Sequence, residues 1–113
     1  MELAEEVADE VTVVAVVGRM DAVGARQFGE RMAALLQAGR ARLLIDASGL
    51  DYIGSMGLRS LMVAAHRAAA ARGRLALCSL TAPVRGVVEL GGFGNVFEAY
   101  GSRAEAIESF AAA

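Results

Sequence analysis

Apolar residues along this chain alternate between two spacings, and the changes of spacing divide it into strands and helices. Val11 to Val17 is an unbroken, largely β-branched run between Asp9 and Glu10 on one side and Gly18 on the other, which predicts a buried central strand. Glu2 to Ala8 joins it through the Asp9–Glu10 turn as the edge strand of a hairpin. Gly18 to Met20 then reads as a link, with Asp21 as the cap of a helix. In that helix Ala25, Phe28, Met32, Leu35 and Leu36 recur at intervals of three and four and mark one inner face, and Gly39 is its stop.

The second half repeats the alternation. Arg42 to Asp46 predicts a strand, and Ser48, Gly49, Asp51 and Gly54 are turn formers that predict a link up to Ser55. From Met56, residues Leu58, Leu61, Met62, Ala65 and Ala69 keep helical spacing as far as Arg72 and Gly73, with Arg59, His66 and Arg67 on the outer face. Arg74 to Ser79 is a further strand. Thr81, Ala82 and Pro83 open a helix whose inner face is Val84, Val87 and Val88. Gly91, Gly92 and Gly94 break it, Val96 to Ala99 is a short strand, and Ser102 with Glu105 forms a capping box for a last helix in which Ile107, Phe110 and Ala111 face inward. Strands alternating with helices predict an α/β fold with crossover connections and a mixed or parallel sheet, and residues 1–113 are consumed by one domain.

Composition narrows the function more than the fold. Apolar residues make up 56% of the chain and its mean hydropathy is +0.46, enough for a real core, although much of that share is alanine. A net charge of −2, with the eleven basic residues, all arginine, spread along the chain, argues against direct binding of nucleic acid. No apolar run reaches the roughly 18 residues of a membrane span, and Met1 is followed by Glu2, Glu5 and Glu6 instead of a secretory leader, so a soluble cytoplasmic protein without membrane insertion is expected. Cys78 stands alone in an apolar run and reads as a buried, inert thiol.

The residues that carry chemistry are few. His66 is the sole histidine and lies more than two helical turns beyond Ser55, so no hydrolytic triad can be assembled, and no spacing suits a metal; no enzyme activity and no cofactor are expected. The run from Gly91 to Asn95 (GGFGN) follows a helix and precedes a strand, the reverse of the order a phosphate cradle requires. Attention therefore falls on Leu43 to Leu61 (LLIDASGLDYIGSMGLRSL), where Ser55 stands at a helix start. Its hydroxyl can serve as a cap for a free backbone N–H, although Leu58 occupies the place of a capping-box Glu or Gln. It can also serve as a phosphoacceptor, since a phosphate there would meet free amides and the positive end of the helix dipole.

Three stretches resemble the STAS family, in particular the anti-sigma factor antagonists of bacteria. VVAVVGRMD resembles the family's second strand and its Gly-x-x-Asp end. LLIDASGLDYIGSMGL resembles the strand, loop and helix start that carry the phosphorylatable serine, and RLALCSLTAPVRGVVELGGFGNVFEAYGSRAEAI resembles the closing half. The resemblance implies a four- or five-stranded mixed sheet with helices packed mainly on one face. It also implies a partner, an anti-sigma factor that is a serine kinase and is released when the antagonist is phosphorylated. The family's Asp-Ser-Ser/Thr-Gly-Leu falls on Gly54, Ser55, Met56, Gly57 and Leu58: the acceptor serine, the glycine and the leucine are kept, while glycine replaces the aspartate and methionine the second hydroxyl residue. The expected site is then Ser55 for phosphate, with Asp21, Asp46, Gly54, Met56, Gly57 and Arg59 on the partner surface of a monomer or weak dimer. The alternative is a STAS subunit that scaffolds a stress-signalling or lipid-transport complex without phosphorylation.

Overall fold

The structure is a computed structural model that describes residues 1–90 and 97–111. Nine elements follow in the order β1 (Glu2–Ala8), β2 (Val11–Met20), α1 (Ala22–Gln37), β3 (Arg42–Ile53), α2 (Ser55–Ala70), β4 (Arg74–Cys78), α3 (Ala82–Leu90), β5 (Glu98–Tyr100) and α4 (Arg103–Ala111). The strands form one five-stranded mixed sheet in the order β1-β2-β3-β4-β5, in which β1 runs antiparallel to β2 and every other pair is parallel. Asp9 and Glu10, both at positive φ, make the hairpin turn between β1 and β2.

The two sides of the sheet are covered unequally. Alternation along β2 sends Val14 and Val16 to one side and Val11 and Val13 to the other. The first side is packed by α1, through Ala25, Phe28, Met32 and Leu35, by α2, through Leu58, Leu61, Ala64 and Ala68, and by α3, through Val84 and Val88. Among the described residues the second side is packed by one helix, α4, whose Ala106 and Phe110 close over Val11, Val13, Leu44, Ala76 and Cys78. Three helices on one face and one on the other fit the expected mixed sheet with helices mainly on one side. Cys78 is fully buried in this second layer, and burial, with the nearby Asp46 charge, pushes its thiol up from the ordinary range, as expected of an inert cysteine.

Several boundaries differ from the sequence pattern. β2 runs on to Met20 and β3 to Ile53, so Gly18 to Met20 and Ser48 to Ile53 are strand and not link. The extensions pair with each other from Val17↔Gly49 to Met20↔Ile53, with register shifts before Val17 and between Gly18 and Arg19, and Met20, Leu50 and Ile53 are buried. In α3 the inner residues are Val84 and Val88, while Val87 is 36% exposed. In α4, Ala106 faces inward and Ala111 is exposed. Ser102 does cap that helix, accepting from the Glu105 amide at 3.1 Å. The readings of Gly91, Gly92 and Gly94 as a helix break, of GGFGN as a turn, and of Val96 as a strand start lie outside the described residues. Among the described residues, no helix is long and apolar enough to cross a membrane.

Candidate functional site

The parallel pair β2 and β3 ends with Met20 opposite Ile53, and each strand is followed by a single residue and then a helix. Parallel strands followed by helices of the same hand of chain place the starts of α1 and α2 at the same end of the sheet. Asp21 and Gly54 are the two single residues. The Gly54 amide donates to the Met20 carbonyl at 3.1 Å, which ties the two helix starts together.

The two starts are finished differently. The Asp21 carboxylate accepts from the Gly24 amide at 2.9 Å and caps α1, as the sequence predicts. That backbone hydrogen bond holds the Asp21 carboxyl below the usual carboxylate range, over a smaller opposing effect of desolvation. At α2 the cap residue is Gly54, with extended backbone and no side chain to accept a hydrogen bond. Ser55 is therefore the first helical residue and not the cap, a correction to the capping role read from the sequence. Its side chain is exposed and makes no hydrogen bond with the described residues, and the first turn of α2 has no side-chain acceptor for its amides.

The neighbours of Ser55 fall into three groups. Gly57 is buried beneath it because the chain leaves no room: a Cβ at this position would lie 2.7 Å from Ile53 Cγ1 and 3.0 Å from the Met20 carbonyl oxygen. Met56 and Arg59 are exposed and line a shallow groove of about 310 Å³ between α1 and α2, together with Ala22, Arg26 and Val63. On the other side stands Tyr52, whose Oη lies 3.1 Å from where a Cβ on Gly54 would be, with the Arg19 guanidinium stacked on its ring at 4.2 Å. The sequence reading missed Tyr52, Arg19 and Arg26. Tyr52 left a signal, being a large aromatic among turn formers.

Asp46 does not belong to this group. It lies seven residues before the end of β3, roughly 23 Å along the strand, and its side chain is on the α4 side of the sheet. There it accepts from the Ser48 amide at 3.0 Å and from Arg103 Nη2 at 2.7 Å and Nε at 3.2 Å. Burial pushes its carboxyl up, but the Ser48 amide and the Arg103 guanidinium outweigh it and hold the group below the ordinary range. The acidic residue expected on the partner surface is thus a structural anchor for α4, while Asp21, Gly54, Ser55, Met56, Gly57 and Arg59 are brought together. His66 is about 16 Å from Ser55 along the axis of α2 and exposed. Among the described residues no group of three or more His, Cys, Asp or Glu could hold a metal. What the site presents is an exposed hydroxyl on an open helix turn beside an apolar groove.

Comparison with known proteins agrees with this geometry. A family model described as "Mlab, STAS domain" matches residues 3–98. A Bordetella bronchiseptica protein named as an anti-sigma factor antagonist, BtrV, is 33% identical over 110 residues, covering 97% of this chain and 95% of the relative. The crystal structure of a Thermotoga maritima protein described as an anti-sigma factor antagonist superposes with a TM-score of 0.90 at 19% identity, over 96% of this chain and 94% of that one. The Bacillus cell fate determinant SpoIIAA matches in its unphosphorylated form (TM-score 0.83, 19% identity, 99% and 98% covered) and in its phosphorylated form (TM-score 0.74, 20% identity, 96% and 98% covered). The chain belongs to the STAS domain family.

Proposed function

We propose that this protein is an anti-sigma factor antagonist whose partner is an anti-sigma factor with serine kinase activity, and that phosphorylation of Ser55 ends their complex. The observation that carries this is the state of Ser55: an exposed hydroxyl on the first residue of α2, on a turn whose amides have no side-chain acceptor. A phosphate on that oxygen would be tolerated by the fold, because negative charge at a helix start is favourable. A partner docked on the same surface would meet about two new negative charges. The name of the Bordetella relative and the phosphorylated form of SpoIIAA support the reading. In this reading the role is a binding one, and Ser55 would take its phosphate in another protein's active site.

A second reading, a STAS subunit that scaffolds a stress-signalling or lipid-transport complex without being phosphorylated, is favoured by Gly54, which offers no carboxylate beside the acceptor. The two part in one measurement. The purified protein is mixed with ATP and the kinase-type anti-sigma factor encoded beside its gene, and the intact mass is read for wild type and Ser55→Ala. A single added phosphate on wild type and none on the variant is expected. An unmodified wild type, with a kinase active on another antagonist, leaves the scaffold reading.

A further inference from the structure

The groove between α1 and α2 combines two features that do not suit an inert surface. Its apolar side chains are large and open to water: Met56 is 57% exposed and Val63 48%, and in the adjoining hollow that shares Ala22 and Arg26, Val23 is 76% exposed. On the same groove stand Arg26 from α1 and Arg59 from α2, and neither makes an ion pair or hydrogen bond with the described residues. Glu30 follows Arg26 by one turn of α1, a spacing at which a pair could form, yet none does. The arginine-lined pocket at the other end of the sheet is different in kind: there Arg42 donates to the Phe110 carbonyl, and Arg74 to Glu98, Tyr100 and Ser109, so its charges are spent within the fold.

We infer that the α1–α2 groove is the seat of an amphipathic, acidic helical segment of the partner protein, with apolar side chains laid along Val23, Met56 and Val63 and carboxylates paired with Arg26 and Arg59. Two antiparallel or parallel helices leave between them a furrow that a third helix fills, with anchors at spacings of three, four and seven. Guanidinium groups flanking an apolar strip select carboxylates, which they can bind through two parallel hydrogen bonds. The inference rests on the partner reading above and adds the chemistry of what docks.

It also supplies the link to Ser55. Arg59 is four residues beyond Ser55 on α2, so the two side chains are neighbours on the helix surface. A phosphate on Ser55 competes for the Arg59 guanidinium with the partner's carboxylate and repels that carboxylate as well. The same arginine is thus a contact of the free groove and a counter-ion of the modified serine.

The test is the affinity of the anti-sigma factor for charge variants, measured by calorimetry at low and at physiological salt. Arg26→Glu and Arg59→Glu are each expected to weaken binding about tenfold, and Arg59→Lys, which keeps the charge but not the two-pronged donor, to weaken it by less than either. Arg67→Glu, on the same helix but at its far end, should bind as wild type does, and added salt should weaken wild type more than either reversed variant. Thermal unfolding should be unchanged in the reversed variants, because both arginines lack partners in the free protein. Equal affinity of wild type, Arg26→Glu and Arg59→Glu overturns the groove and leaves the antagonist reading standing. Tighter binding by the reversed variants also overturns it, since the occupant is then basic. No binding by wild type removes the partner and the groove's occupant together.

Discussion

Ser55 and Gly57 stand two residues apart at the start of α2 under opposite constraints. The Ser55 side chain is exposed and makes no hydrogen bond with the described residues, so Ser55→Ala should change stability by no more than about 0.5 kcal/mol, while removing the proposed phosphate acceptor. Gly57→Ala tests a balance of two effects. Alanine is the better helix former by about 1 kcal/mol. Against that, the new Cβ would press on Ile53 Cγ1 at 2.7 Å and on the Met20 carbonyl at 3.0 Å, and a backbone oxygen cannot turn away as a side chain can. Overpacking of this kind costs about 1–3 kcal/mol, so after the propensity gain the variant should be destabilised by up to about 2 kcal/mol in urea unfolding and lose partner affinity as the helix start shifts. A Gly57→Ala protein more stable than wild type would mean that α2 is free to move off the ends of β2 and β3.

At the scale of elements, the chain's strands and helices were legible wherever one spacing of apolar residues held without interruption. α1 is the clearest case: Asp21 caps it, Ala25, Phe28, Met32 and Leu35 are buried, and Gly39, at φ +84°, follows its end. The far halves of β2 and β3 were not legible, for a reason the pairing makes plain. Gly18, at φ +112°, lies at a register shift, and Gly49 lies against Val17, where a Cβ would be 2.8 Å from Val17 Cγ2. Glycines that serve a bulge and a close strand approach look, in one dimension, like the glycines of a turn. The site was affected too: the resemblance set Asp46 beside Ser55, whereas the full length of β3 separates them, and Tyr52 was lost in a supposed loop. The extra length of β3 is fastened from the residue before α3, since Thr81 Oγ1 donates to the Leu50 carbonyl at 2.8 Å. Thr81→Val removes that donor while nearly keeping the volume, and leaves the carbonyl of a buried residue one partner short. It should cost about 1 kcal/mol in urea unfolding with partner binding unchanged. No loss would show that the β3 extension is held by its pairing with β2 alone.

For the whole molecule, what matters is how α4 stays on a face of the sheet that no other helix of the described residues covers. Its apolar contact is small, Ala106 and Phe110 with the half-buried Ile107 over Val11, Val13, Leu44, Ala76 and Cys78, and the polar tie at its first turn is Arg103. That guanidinium pairs with Asp46 from β3 and with Glu6 from β1, so three elements meet on one side chain. Removing its carboxylate partner by Asp46→Asn should cost about 1 kcal/mol at neutral pH, a discounted figure because the Arg103 side chain is 37% exposed and shares the screening of water. The sign of the pH dependence follows from the depressed Asp46 carboxyl: its contribution is fully present above the unfolded value of about 3.9 and is lost as pH falls through the lower folded one. Wild type should therefore exceed Asp46→Asn in urea midpoint at pH 7, and that advantage should shrink progressively as the medium is taken below about pH 4. Asp21 also has a depressed carboxyl but is present in both proteins, so it cancels in the comparison. An advantage that stays constant down to low pH would assign the difference to packing of the two side chains and not to the charge on Asp46. A loss confined to α4, seen as faster amide exchange in Arg103–Ala111 while α1 and α2 keep theirs, would locate the tie where the ion pairs put it and leave the Ser55 surface at the other end of the sheet intact.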